Sequence, residues 1–280
     1  MKLDLTHPDI VYLVEHALAE DVGTGDLTTN ATVDADLQAE GHFHARQPLV
    51  VAGVELLHLL LPDVHIHFAS GDRAQDGDII ASVHGPARLL LTRERVSLNF
   101  LQRLCGVATL AARYVDAVTG TGAKILDTRK TTPGWRILEK MASAAGGVVN
   151  HRMGLYDAVL IKNNHIALAG GVRAAVDRAL HAGLPEGIRI ECEVRTRAEI
   201  DEALYAGASQ LLLDNMTPAE AAEEIRYIRE RSPETKVELS GGITLDTVRA
   251  YAEAGPDFIS CGAITHSAVA VDLNFRLKAR

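Results

Sequence analysis

The sequence predicts an α/β protein in which a reduced, six-stranded β/α barrel follows an N-terminal α+β sandwich-like layer. From residue 124 onward, six short apolar runs alternate with amphipathic helical segments, and nearly every run ends in a polar residue or glycine. Strands that alternate with helices lie parallel, with right-handed crossovers. An open sheet also fits this alternation, but six polar strand ends favour a barrel, whose strand ends share one mouth. The segment has only about 155 residues, short of the ~250 typical of eight strands.

The N-terminal region starts with a predicted helix over residues 8–20, because the apolar residues between Ile10 and Leu18 share one face. A long helix is predicted for residues 92–118, with Thr92 as its N-cap. Between these helices we predict a short helix over 54–61 and strands over 39–52, 64–68, 78–84 and 87–92. We therefore expect an α+β domain over 1–110 and the barrel over 111–268, with the segment 269–280 packing against the first domain.

Two histidine pairs lie in the predicted N-terminal strands, His42-x-His44 and His65-x-His67. Residues two apart point to the same strand face, so each pair could chelate a metal. No third ligand lies nearby in the sequence, which favours a solvated strand face instead.

The six barrel strands are predicted from the apolar runs, and the helices between them from their start signals. Thr132-Pro133 gives an N-cap followed by a proline at the first helical position. Thr196 and Thr217 each begin a capping-box pattern. The predicted strands cover residues 124–128, 158–162, 189–194, 210–214, 236–240 and 257–261.

Composition narrows the class of protein. The 280 residues are 47% hydrophobic and 23% charged, which is typical of a soluble globular enzyme. No apolar run approaches ~18–20 residues, so no membrane span is expected. The N-terminus shows no signal-peptide pattern and the three cysteines are far apart, so we expect a cytoplasmic protein without a disulfide framework. The net charge of −9 argues against nucleic-acid binding.

The segment 124–166 reverses the sign of the charge, with seven Lys/Arg against three Asp/Glu. A compact positive patch in an acidic protein attracts a small, highly charged anion. Two apolar runs in this segment end in cations, Arg129-Lys130 after the first and Lys162 after the second. Cations at strand ends, on loops that enter helices, indicate a site, although Arg129-Lys130 alone could be a solvated turn.

Later strand ends carry other chemistry. Glu191 and Glu193 share one strand face and Asp214 ends the next strand, where Mg²⁺ could bridge carboxylates and substrate phosphate oxygens. These carboxylates could instead be ion-pair partners of the cations. The last strands end in glycine turns, Ser240–Gly242 and Cys261–Ser267, and a glycine turn that opens a helix presents backbone N–H groups to an anion. Together the strand ends predict a site for a phosphorylated sugar with a carboxylated partner.

Several long motifs resemble the quinolinate phosphoribosyltransferase family. They include EDVGTGDLTT, LTRERVSLNFLQRLCGVAT, LDTRKTTPG, NHRMGLYDAVLIKNNHI, ECEV, LLLDNM, ELSGGI and ISCGAITHS, in this order along nearly the whole chain. The resemblance implies an α/β sandwich-like N-terminal domain, a truncated α/β barrel, and a homodimer or higher homo-oligomer with the active site at the subunit interface. It also implies transfer of phosphoribose from phosphoribosyl pyrophosphate to quinolinate with Mg²⁺, giving nicotinate mononucleotide, pyrophosphate and CO₂ in NAD biosynthesis.

The resemblance also implies residue roles. Quinolinate would be held by Arg129, His151, Arg152 and Lys162, beside Thr128, and by Arg95 from a neighbouring subunit. Lys130 would serve the pyrophosphate, and Glu193 and Asp214 would serve the ribose and the metal, so that Lys130, Lys162, Glu193 and Asp214 form the catalytic set. Glu193 is preferred to Glu191 because of its spacing from Asp214. The 5′-phosphate would be held by Ser240, Gly241, Gly242, Gly262, Ala263 and His266.

Two other functions fit the same features. A paralogue of the same fold, of the type found with molybdate-transport genes, would act on another anion. A non-catalytic phosphate-binding barrel would have lost charged positions, and none is missing here.

Overall fold

The computed structural model describes residues 3–280, which form two compact units. The N-terminal unit contains the chain up to residue 112 together with residues 131–147 and 264–280. The barrel unit contains residues 113–130 and 148–263. The long helix therefore ends in a different unit from the one in which it begins.

The N-terminal unit is built on an antiparallel four-stranded sheet with the order β12-β1-β5-β3. In its centre the rings of Phe43 and Phe275 lie 4.4 Å apart across the β1–β12 pair. A two-stranded sheet, β2-β4, accompanies it. The strands are β1 (Gln38–Ala45), β2 (Leu49–Val50), β3 (Val64–Ile66), β4 (Arg73–Ala74), β5 (Ile79–Pro86) and, after the barrel, β12 (Leu273–Ala279). The helices are α1 (Pro8–Val22), α2 (Leu27–Thr32), a 3₁₀ turn (Val54–Leu56), α3 (Leu57–Leu60), α4 (Ala87–Ala117) and α5 (Arg136–Ala145).

Helix α4 begins five residues earlier than predicted, so the prediction of a strand over 87–92 is wrong. The residues Ala-Arg-Leu-Leu-Leu favour a helix by intrinsic propensity. Ala87 and Leu90 are both buried and stand three apart, as on one helix face. Thr92 consequently lies inside the helix and is not its N-cap.

Helix α5 also begins elsewhere than predicted, at Arg136 with Trp135 as its N-cap. Thr132 instead binds the side chain of Glu139, through its backbone N–H to Oε2 (3.0 Å) and its hydroxyl to Oε1 (2.8 Å). Glu139 is completely buried, and its Oε1 forms an ion pair with Arg103 Nη2 at 2.6 Å. The threonine that the sequence marks as a helix start therefore fixes the loop that precedes the helix.

The two histidine pairs lie in the antiparallel sheet. The rings of His65 and His67 are 4.7 Å apart, and both side chains are exposed. His67 bonds to the Ser82 hydroxyl at 3.0 Å, and His42 bonds to Glu40 at 3.1 Å.

The barrel unit contains six parallel strands in the order β6-β11-β10-β9-β8-β7, which confirms the predicted α/β architecture. Within residues 3–280, no ladder joins β6 to β7, and a single bridge between Leu126 and Val149 extends the sheet beside β6. The strands are β6 (Lys124–Leu126), β7 (Val159–Ile161), β8 (Ile190–Val194), β9 (Gln210–Asp214), β10 (Lys236–Ser240) and β11 (Phe258–Ser260). The helices are α6 (Asn163–Ala169), α7 (Val172–Leu180), α8 (Arg197–Tyr205), α9 (Pro218–Arg231) and α10 (Val248–Glu253). Helix α11 (Ala263–His266) begins at the last residue of this unit, and its other residues belong to the N-terminal unit.

The central strands of the barrel unit alternate polar and apolar residues. On β8, Glu191 and Glu193 share one face, and Cys192 and Val194 share the other. All four side chains are buried. The apolar residues of the helices, such as Ile225 on α9, are buried as well. Thr196 and Thr217 are confirmed as N-caps, and each accepts a hydrogen bond from the backbone N–H three residues later. The complete capping box is present at Thr217, whereas the Glu199 side chain accepts the backbone N–H of Arg195 rather than that of Thr196.

None of the helices in the described part of the chain combines the length and the apolar character needed to cross a bilayer.

A glycine substitution tests the packing of the N-terminal unit. A Cβ atom on Gly106 of α4 would collide with the backbone carbonyl of Val269, which leads into β12. Because backbone cannot move aside cheaply, we expect Gly106→Ala to lower the free energy of unfolding by about 1–3 kcal/mol. Thermal and urea unfolding would measure the change, with Asn99→Ala, at an exposed position of the same helix, as the control. Equal stability of the two variants would contradict this packing.

Candidate active site

A cavity of about 340 Å³ opens where the strands of the barrel unit end. Its polar wall comes from five strands, with cations after β6 and β7 and with Asp214, Ser240 and Ser260 at the ends of β9, β10 and β11. The lining residues are Thr128, Arg129, Lys130, His151, Arg152, Leu160, Lys162, Leu212, Asp214, Asn215, Glu238, Ser240, Gly241, Gly242 and Ser260.

The structure brings most of the predicted site residues into this one cavity. Glu193 lies beside it and is connected to it through Lys162. Gly262 and Ala263 follow β11 but are not among the lining residues. Arg95, which is exposed on α4, and His266 belong to the N-terminal unit.

Two guanidinium groups dominate the positive side of the cavity. Arg152 is buried, and its Nη1 donates to the carbonyl of Ala158 at 3.0 Å. Burial, together with the nearby charge of Arg129, lowers the pKa of Arg152 from its usual value. Two like charges held this close in a partly buried place are stabilised by an anion between them.

A buried carboxylate positions this pair. Asp127, directly after β6, accepts the Asn150 side-chain amide at 2.6 Å and the backbone N–H of His151 at 2.8 Å. Asp127 has no exposed surface. Its contacts hold the residues before Arg152 against the end of the strand that precedes Arg129.

The carboxylates of the mouth are joined by cations. Lys162 Nζ lies 3.0 Å from Glu193 Oε2, and Arg195 Nη2 lies 3.1 Å from Glu193 Oε1. The same Arg195 nitrogen lies 3.5 Å from Asp214 Oδ2. Glu193 and Asp214 therefore direct oxygen atoms toward one position that a cation occupies.

Glu191 has different surroundings from Glu193. It accepts a hydrogen bond from the Gln210 side chain at 2.9 Å, and its Oε2 lies 3.3 Å from His151 Nε2. It is not paired with Asp214. This geometry supports the assignment of Glu193, rather than Glu191, to the carboxylate pair at the mouth.

Below the mouth lies a buried cluster of His151, Glu191 and Glu238. The Nε2 atom of His151 is 3.5 Å from Glu238 Oε2. Burial, and then the repulsion by Glu191, raises the pKa of Glu238 well above its ordinary value. Burial would also raise the pKa of Glu191, but hydrogen bonds from His151 and Gln210 lower it instead. We infer that Glu238 keeps its proton to a higher pH than Glu191 does, so that Glu191 is the carboxylate that ionises first.

The three side chains of this cluster are near enough to share a metal ion. However, His151 Nδ1 accepts the backbone N–H of Arg152 at 2.7 Å, so the proton of the neutral ring must lie on Nε2. That protonated nitrogen faces Glu191 and Glu238, whereas a metal ligand needs a bare nitrogen. We interpret the cluster as a buried polar support for the turn that holds Arg152.

The opposite side of the cavity is a glycine turn. Gly241 has a φ of +107°, and a Cβ atom there would collide with the Asn215 side chain. The backbone N–H of Asn215 donates to the Ser240 carbonyl at 2.9 Å. Helix α10 starts only at Val248, so the expectation that this turn directly opens a helix is wrong. The glycines instead allow the backbone after β10 to pass close to the end of β9.

Sequence reasoning missed several functional candidates. Glu238 stands two residues before Ser240, so the alternation along β10 could have placed both on one face. Arg195 stands two residues after Glu193, but its contact with Asp214 depends on the neighbouring strand. Asn215 has a φ of 58°, a conformation that asparagine tolerates better than most residues, and it lies in the motif LLLDNM, from which only Asp214 was assigned a role.

Comparisons with known proteins agree over nearly the whole chain. The family models described as the N-terminal and C-terminal domains of quinolinate phosphoribosyl transferase match residues 26–105 and 107–276. A Bacillus subtilis relative, "Probable nicotinate-nucleotide pyrophosphorylase [carboxylating]", is 39% identical and aligns over 96% of this chain and 94% of its own length. A Mycobacterium leprae relative, a nicotinate-nucleotide pyrophosphorylase [carboxylating], is 40% identical, with 94% and 95% covered. The solved structure of NadC from Streptococcus pyogenes is 37% identical with a TM-score of 0.92, and 100% of each chain is covered.

The buried Glu238 gives a pH-dependent prediction. The carboxyl regains its ordinary pKa of 4.5 on unfolding, so above that pH the unfolded chain releases a proton that the folded chain keeps. Stability is therefore lost as the pH rises from 4.5 toward the raised pKa. Because Glu238→Gln keeps a neutral side chain of the same shape, we expect its Tm relative to the original protein to increase between pH 5 and pH 8 in thermal unfolding. The exposed Glu230→Gln is the control, and a Tm difference that does not change with pH would contradict the protonated state.

Proposed function

Because the chain belongs to the quinolinate phosphoribosyltransferase family, we propose that its barrel cavity transfers phosphoribose from phosphoribosyl pyrophosphate to quinolinate. The reaction yields nicotinate mononucleotide, pyrophosphate and CO₂, and it serves NAD biosynthesis. One observation is the main reason to assign the reaction to this cavity. A single cavity has two arginines on one side and a glycine turn on the other, with a carboxylate pair at its mouth.

Quinolinate has two carboxylates beside its ring nitrogen, and it fits the positive side of the cavity. Arg129 and Arg152 would bind these carboxylates, since a guanidinium can bind a carboxylate through two hydrogen bonds. Lys162, half-exposed and already paired with Glu193, would add a third cation. His151 would act mainly by holding the Arg152 turn, and its direct contact with quinolinate stays a prediction.

The carboxylate pair fits Mg²⁺. Glu193 and Asp214 present oxygen atoms to one cation position, and Mg²⁺ commonly takes one or two carboxylates together with substrate phosphate oxygens. When bound, Mg²⁺ would neutralise charge on the departing pyrophosphate. Lys130, exposed on the loop after β6, is placed to bind the same anion.

The chemistry then needs orientation and charge rather than a covalent enzyme intermediate. Arg129 and Arg152 hold the ring so that its nitrogen attacks the anomeric carbon of the ribose as pyrophosphate leaves. Glu193 and Asp214 stabilise the positive charge that develops on the sugar. The electron pair of the breaking C–CO₂ bond stays on the ring carbon, where the adjacent positive pyridinium nitrogen stabilises it, and that carbon then takes up a proton from water.

The 5′-phosphate would bind at the glycine turn. Backbone N–H groups around Gly241 and Gly242 and the Ser240 hydroxyl form an anion-binding surface. We assign Gly262, Ala263 and His266 to the same phosphate by the family pattern.

A second copy of the chain would complete the site. Arg95 is exposed and has no place in the cavity of its own barrel unit. We propose a homodimer or a higher homo-oligomer in which Arg95 contacts quinolinate bound to the neighbouring subunit. We place the enzyme in the cytoplasm, because its three cysteines are buried free thiols, which fits a reducing compartment.

Removal of Arg129 tests the quinolinate site. Arg129→Ala should cost about 2–5 kcal/mol of quinolinate binding free energy, because a buried charge pair is broken. Binding of phosphoribosyl pyrophosphate should persist, since it uses the other side of the cavity. Isothermal titration calorimetry measures both affinities, with Arg226→Ala, exposed on α9, as the control. Unchanged quinolinate affinity in Arg129→Ala would refute the assignment.

Subunit mixing tests the role of Arg95. Arg95→Ala and Asp214→Asn should each be nearly inactive alone. If Arg95 serves the neighbouring subunit, dimers that contain one of each variant have one intact site. Half of randomly mixed dimers are of this kind, so an equal mixture should recover about a quarter of the original activity. A mixture that subunit exchange has equilibrated and that stays inactive would contradict a shared site.

A further inference from the structure

Arg195 has no role in the mechanism above, although it contacts both residues of the carboxylate pair. It follows β8 directly, two residues after Glu193, and its side chain is 47% exposed. One nitrogen, Nη2, reaches Glu193 Oε1 at 3.1 Å and Asp214 Oδ2 at 3.5 Å. Its backbone N–H donates to Glu199 at 2.6 Å, at the start of α8. The backbone is therefore fixed while the end of the side chain lies at the mouth.

The carboxylate pair needs a cation at this place. The side chain of Glu193 is only 5% exposed and that of Asp214 only 15%, so water screens their repulsion poorly. Lys162 neutralises the far oxygen of Glu193. Among the ion pairs recorded for residues 3–280, Arg195 is the cation that links Glu193 to Asp214.

A guanidinium and a divalent cation cannot use the same oxygen atoms together. Mg²⁺ binds oxygen at about 2.1 Å and carries its charge at a single point. The Arg195 nitrogen lies between the two oxygens that such an ion would take. Binding of the metal therefore requires Arg195 to move.

The side chain has room to move. Arg195 lines an open groove of about 580 Å³ beside the mouth, together with Asn215, Met216, Glu220 and Glu224. The groove carries two further carboxylates, Glu220, which binds Thr217 at the start of α9, and Glu224, which pairs with Arg197 at 2.8 Å.

We propose that Arg195 is a resident counter-cation of the Glu193–Asp214 pair, which the divalent metal displaces when it binds. This inference rests on the proposed function for the identity of the metal. In the enzyme without substrate, Arg195 keeps the two carboxylates neutralised. Because the metal must displace Arg195, its affinity in the absence of substrate is low. The metal then binds best together with the pyrophosphate group, which adds further oxygen ligands.

Mn²⁺ binding without substrate tests the proposal. The full-length protein and its variants are titrated with Mn²⁺ alone, and free Mn²⁺ is measured by electron paramagnetic resonance. Arg195→Gln leaves the carboxylates without their counter-cation, so we expect its Mn²⁺ affinity to rise about tenfold. Arg195→Lys keeps the charge and should change the affinity much less. Arg226→Gln removes an exposed positive charge from α9 and should leave the affinity unchanged.

A double variant locates the bound ion. Arg195→Gln combined with Asp214→Asn should lose the gain in affinity, because one of the two carboxylates is gone. If the double variant retains the gain, the ion binds elsewhere and the proposal is overturned. The proposal is also overturned if Arg195→Gln, shown by circular dichroism to be folded, binds Mn²⁺ with unchanged or lower affinity. The assay uses no quinolinate, so its outcome is separate from failure of the proposed reaction.

Discussion

The parallel ladder that joins β8, β9 and β10 sets the distances on which the site depends. In this ladder Asp214 pairs with Ser240, so the carboxylate that ends β9 lies beside the serine that begins the glycine turn. Leu213 pairs with Val194, which brings the end of β8 to the same edge. A parallel sheet places all of its carboxyl ends on one side, and this places the groups that we propose for the metal and for the phosphate next to each other.

The interior of the barrel unit carries charge that would be costly without compensation. Each carboxylate below the mouth is balanced in a different way. Glu193 is held by two cations, Glu191 by hydrogen bonds, and Glu238 by keeping its proton. The arginines of the positive side line the same cavity as Glu238. Removal of one partner would leave a buried charge without its counterpart, which is why we expect the site to respond strongly to single substitutions.

Much of this arrangement could be predicted from the sequence. The strands over 210–214 and 236–240 were predicted with their observed bounds, because each is an apolar-rich run with a polar end. The prediction of a strand over 87–92 was wrong because a short apolar run does not distinguish a strand from a helix. The prediction that Thr132 caps a helix was wrong because tertiary packing places the Glu139 side chain where it binds Thr132. The contact of Arg195 with Asp214 joins two strands and depends on the conformation of one long side chain, which local patterns do not encode.

The central claim is that this cavity converts quinolinate with loss of its carboxylate. The most direct measurement incubates the purified protein with quinolinate labelled in the carboxyl group next to the ring nitrogen, phosphoribosyl pyrophosphate and Mg²⁺. We expect labelled CO₂ and nicotinate mononucleotide to appear in equal amounts, and both to depend on phosphoribosyl pyrophosphate. A folded protein that binds phosphoribosyl pyrophosphate but releases no CO₂ from quinolinate would contradict the claim and would favour a relative of the same fold that acts on another anion.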